Sequence, residues 1–104
     1  MKISAAKLER LIADATVDAY TDSEQRGGFL TMIEDNLALP FVTSVLGVEV
    51  SVECIDLTDA DEIVAICRRG RTRQAIPILE LPLPKPGPKG AEWIEAYRRW
   101  ARGA

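Results

Sequence analysis

The chain has 104 residues, 47% hydrophobic and 28% charged, with a formal net charge of −3; this is the make-up of one globular domain and not of a disordered tail. The longest apolar runs span only four or five residues, as in Ile63 to Cys67, against the ~20 that cross a bilayer, and the start Met-Lys-Ile-Ser has no apolar signal core, so a cytoplasmic protein without membrane attachment is expected. The absence of histidine removes Ser-His and Cys-His nucleophile pairs and imidazole bases, no phosphate loop or dinucleotide fingerprint is present, and no enzyme active site is expected.

The elements follow in chain order. Ser4 can cap a first helix running to about Tyr20, with Leu8, Leu11, Ile12, Ala15 and Ala19 on one face. Thr21-Asp22-Ser23-Glu24 fits a capping box and opens a second helix, about 22–37, whose face is Phe29, Leu30, Ile33 and Leu37. Gly27 and Gly28 lie inside it, which signals close backbone packing or a break. Pro40 stops it.

From Phe41 the period becomes two. Val48, Val50, Val52 and Cys54 alternate with Glu49, Ser51 and Glu53, predicting a half-buried strand with Cys54 inside. Asp56 to Glu62 is a turn and Ile63 to Cys67 a second strand; a symmetric turn would set Val52 opposite Ile66. Gly70 turns into a strand through Gln74 and Ile76, and Ile78 to Leu81 can add a short edge strand after Pro77. Consecutive short strands over about 41–81 favour a small antiparallel barrel or rolled sheet, flanked by helices in an α+β fold. Four prolines between Pro82 and Pro88 make a stiff connector, residues 82–90. A last helix, 91–102, carries Trp93, Ile94, Tyr97 and Trp100 on one stripe, expected to pack onto the sheet. There is no internal repeat and no domain boundary.

Both cysteines, Cys54 and Cys67, sit in apolar runs and read as reduced buried thiols. Without histidine they cannot complete a tetrahedral zinc site within one chain.

Three features carry chemistry. Residues 1–67 hold 13 acidic and 4 basic side chains, and the excess concentrates in the turn bearing Asp56, Asp59, Asp61 and Glu62. Carboxylate oxygens are the ligands of hard cations such as calcium; the same turn also reads as a solvated hairpin tip. It is not an EF-hand loop: counting from Asp59, the sixth position lacks glycine and the twelfth is Gly70 instead of glutamate. Glu34-Asp35-Asn36 ends the second helix, where carboxylates face the negative end of its dipole and a cation would relieve them; Asn36 alone can be a C-cap. Arg68-Arg69-Gly70-Arg71-Thr72-Arg73 could grip phosphates, but it has no interleaved aromatics and the sequence pI is near 4.9, so carboxylate pairing is favoured over nucleic acid.

The order of Val17-Asp18-Ala19-Tyr20, Glu24-Gln25, Gly28-Phe29, Leu39-Pro40-Phe41, Ile76-Pro77-Ile78 and the Trp93 to Trp100 helix resembles the bacterial calcium-binding proteins of the CcbP type. The resemblance spans roughly Val17 to Trp100. It implies an SH3-like barrel with helical flanks and a small buffer or regulator of intracellular calcium, binding Ca2+ through carboxylates outside any EF-hand. Asp35, Asp56, Asp59, Asp61 and Glu62 lie in the matching regions and are the candidate ligands, gathered from the end of the second helix and the acidic turn. The alternative is a small protein–protein interaction module with no metal, whose barrel face or proline strap takes an unidentified partner.

Overall fold

The structure, a computed structural model, describes residues 3–103. Helix α1 spans Ala5–Ala15, with the Ser4 side chain accepting a hydrogen bond from the Lys7 amide at 3.1 Å. Leu11 and Ala15 are its buried residues. It ends five residues before Tyr20. The Thr16 hydroxyl donates back to the Ile12 carbonyl and Asp18 has φ of 59°, so the chain leaves the helical path and Val17 and Tyr20 stand exposed. Helix α2, Asp22–Asn36, starts on Thr21, whose hydroxyl accepts from the Glu24 amide.

Gly28 is where α1 and α2 meet. A Cβ there would fall on the Ala15 carbonyl oxygen, whereas one on Gly27 would meet nothing within 4 Å. Close packing is therefore the reason for one glycine of the pair.

Four antiparallel strands follow: β1 (Phe41–Val45), β2 (Val48–Leu57), β3 (Ile63–Arg69) and β4 (Thr72–Pro77), in the spatial order β1-β2-β3-β4. The sheet is open, not closed into a barrel. The expected edge strand at 78–81 is instead a 3-10 turn, Ile78–Glu80, started by Pro77, so among the described residues no strand leads β4 back to β1. That turn buries Ile78, and Leu81 beyond it is buried as well.

The register of β2 differs from the simple alternation. Val52 faces Cys67, but Cys54 faces Ile66, so Glu53 is the extra residue of a β-bulge. Beyond the bulge the inward positions shift from even to odd, and Ile55 is buried while Cys54 is exposed. Cys67 points inward beside Val52 and is buried. Both thiols are free.

Helix α3, Ala91–Ala101, packs mainly against α1 and α2, and its buried face shares one core with the inner residues of the sheet. Its aromatic stripe closes on Phe29: the ring centroids of Phe29 and Tyr97, and of Phe29 and Trp100, are each 5.4 Å apart. Phe29, Ile33, Ile94, Val52, Ile63 and Leu81 are fully buried in the shared core. The segment between the 3-10 turn and α3 is tied on both sides. Thr43 on β1, itself buried, donates to the Pro82 carbonyl at 2.6 Å, and the Arg98 guanidinium donates to the Leu81 carbonyl.

Candidate functional site

The β2–β3 turn is built by its own backbone. The Thr58 amide donates to the Glu62 carbonyl and the Asp61 amide to the Thr58 carbonyl, each at 2.9 Å. The Thr58 hydroxyl accepts from the Glu62 amide at 3.2 Å, and the Asp56 carboxylate accepts from the Leu57 amide at 2.8 Å. Asp61 sits in the left-handed region at φ of 61°, which an aspartate tolerates better than a branched residue. This closure holds the backbone and leaves Asp59 and Glu62 exposed, with no ion pair to either among the described residues.

Asp61 is the exception. Its carboxylate pairs with the Arg26 guanidinium at 2.6 Å, with side-chain exposures of 37% and 23%. Arg26 in turn lies over the Trp100 ring, 5.4 Å from its centroid. Burial alone would lower the Arg26 pKa; the Tyr97 hydroxyl and the Asp61 carboxylate outweigh it and hold it above the ordinary value, so the group stays cationic. Trp100 Nε1 donates to Gln25 Oε1 at 2.9 Å, and Gln25 Nε2 donates to the Ala19 carbonyl. The acidic turn is thus moored to the start of α2 and the end of α3 through one arginine. Sequence reasoning passed over Arg26, although it falls on the same stripe as Phe29 and Ile33, and a cation on an apolar helix face is a readable signal.

Asp56, Asp59, Asp61 and Glu62 therefore share one hairpin. Asp35 does not join them. The turn meets α2 at Arg26, and Asp35 lies nine residues further, about 13 Å along the axis. Asp35 and Glu34 are exposed, and Asn36 donates its side-chain amide to the Met32 carbonyl, so it satisfies the last helical turn while Leu37 is the C-cap. Among the described residues no three acidic or cysteine side chains are drawn together closely enough to hold an ion. The donors of the turn are nevertheless of the hard-oxygen type that calcium takes: four carboxylates, the Thr58 hydroxyl and turn carbonyls.

The arginine hairpin resolves differently. Arg68 pairs with Glu53 at 2.9 Å, which with the Ser51 hydroxyl holds that carboxyl below the usual carboxylate range. Arg69 donates to the Glu49 carbonyl oxygen at 3.1 Å. No helix among the described residues is long and apolar enough to cross a membrane.

A family model described as calcium binding, that of the CcbP type, matches residues 9–101. No curated protein and no solved structure matches the chain.

Proposed function

The chain belongs to the CcbP calcium-binding family, which is not a family of enzymes, and from that premise we propose that it binds Ca2+ on the β2–β3 turn through Asp56, Asp59, Asp61 and Glu62, outside any EF-hand. The observation that carries the assignment is the turn itself: its backbone is closed by its own hydrogen bonds, while Asp59 and Glu62 project into solvent beside Asp61. Calcium accepts variable oxygen geometry and completes its shell with water, so exposed side chains can converge on it without refolding the hairpin. Asp35, on the far half of α2, is left outside this site.

Arg26 sets the terms of binding. Its charge already satisfies Asp61 in the metal-free protein, so an ion that recruits Asp61 does so in competition with a guanidinium. The carboxylates must be ionised to bind, so affinity falls in acid. Magnesium, which demands tight octahedral geometry, binds this turn less well. The cellular role that fits is a cytoplasmic calcium buffer or regulator.

The test is a calorimetric titration with Ca2+ and, separately, Mg2+. Saturable heat with calcium and a weaker response with magnesium supports the reading. No heat at millimolar calcium refutes it.

A further inference from the structure

The helical layer, which meets the sheet through α2, covers only part of the sheet's inner face. Val52, Ile55, Ile63 and Ala65 lie beneath it and are buried. Toward the β1–β2 and β3–β4 hairpin tips the same face continues as an open groove of about 470 Å³, lined by exposed Val48, by half-buried Val45, Val50 and Ile76, and by buried Cys67. This is within the range of about 300–1,000 Å³ typical of ligand sites. At its rim stands Leu46, 97% exposed and at φ of 51°. A leucine there is disfavoured twice, by its backbone conformation and by its contact with water.

The charge that lines this groove has one sign. Arg69 lines it and Arg71 sits at the adjoining β3–β4 turn, and neither forms an ion pair among the described residues. The hydrogen bond of Arg69 goes to a carbonyl oxygen, which leaves its charge uncompensated. Among the described residues no carboxylate lines the groove, in a chain whose net charge is −3. A symmetric contact through this face would bring two uncompensated positive rims into one interface, which opposes self-association.

We propose that this groove is a docking site for an acidic peptide segment carrying large apolar side chains, with Leu46 and the valine floor taking the apolar anchors and Arg69 and Arg71 the carboxylates. The site is separate from the acidic turn and does not require calcium.

The probe is a fluorescein-labelled synthetic peptide with three leucines on one face and glutamates elsewhere. It is titrated with the full chain by fluorescence anisotropy, at low salt and in EDTA. Two counterparts replace the glutamates by lysine or the leucines by serine. The glutamate–leucine peptide should bind at least tenfold more tightly than either counterpart. Leu46→Ser and Arg69→Gln/Arg71→Gln should each weaken it at least fivefold with unchanged melting temperature, both changes lying on the surface. The proposal is overturned if the first peptide does not bind, if the counterparts bind equally, or if the two variants bind like the wild type. It is also overturned if sedimentation shows a wild-type dimer that Leu46→Ser dissolves, since the face would then belong to a second copy.

Discussion

Adjacent glycines in α2 should respond to alanine with opposite signs. In both Gly27→Ala and Gly28→Ala the helix gains about 1 kcal/mol of intrinsic propensity, because alanine restricts the unfolded chain and glycine does not. At Gly27 the new methyl meets nothing within 4 Å, so that gain is kept. At Gly28 it lands on the Ala15 carbonyl oxygen of α1. The obstacle is backbone, which has no rotamer to turn away, so the two helices must separate, an overpacking cost of about 1–3 kcal/mol or more. The propensity gain is common to both variants, and their difference isolates the clash. For a domain of this size about 4–8 °C in Tm corresponds to each kcal/mol. Thermal unfolding followed by circular dichroism should place Gly27→Ala above the wild type and Gly28→Ala below it. If Gly28→Ala melts within a degree of Gly27→Ala, α1 and α2 do not meet at that point and the packing described above is wrong.

Trp93 is only 7% exposed, and Trp93→Ala should cost about 3–5 kcal/mol in urea denaturation, a large part of the stability of a small domain. A thiol reagent at neutral pH should label exposed Cys54 at once and buried Cys67 slowly, since burial also pushes the Cys67 thiol up; non-reducing mass spectrometry should find no Cys54–Cys67 bridge. Arg26→Met should tighten calcium about two- to fivefold by titration, the equivalent of about 0.5–1 kcal/mol for a part-exposed ion pair, because Asp61 is then released. Weaker binding in that variant would mean that Arg26 orders the site instead of competing for it.

The elements that were legible rest on local chemistry: Ser4 and Thr21 as caps, the apolar stripes of α1 and α3, the glycine turn at Gly70. What the sequence concealed depends on contacts between distant residues. The bulge at Glu53 has no local signature, since Val-Glu-Val-Ser-Val-Glu-Cys alternates without fault, and it is the pairing with β3 that moves Ile55 inward and Cys54 out. The open sheet follows from Ile78 and Leu81, which look like strand residues but enter the core through a single 3-10 turn. The α3 stripe gave a helix face but not its neighbour, which is Phe29 of α2. For the candidate ligands, the turn carboxylates were apparent from composition. The separation of Asp35 from them, and the arginine that already holds Asp61, are set by how α2 lies along the sheet.

Calcium-dependent melting of the wild type, Asp59→Asn/Glu62→Gln and Asp35→Asn tests the placement of the ion most directly. At a free calcium concentration one hundred times Kd, binding stabilises the native state by about 2.7 kcal/mol, a rise in Tm of about 10–20 °C for a domain of this size. The wild type and Asp35→Asn should both show that rise, and Asp59→Asn/Glu62→Gln should lose most of it while folding normally without metal. An unchanged wild-type Tm at millimolar calcium, or a full rise retained by the Asp59→Asn/Glu62→Gln variant, would contradict the assignment of calcium to the β2–β3 turn.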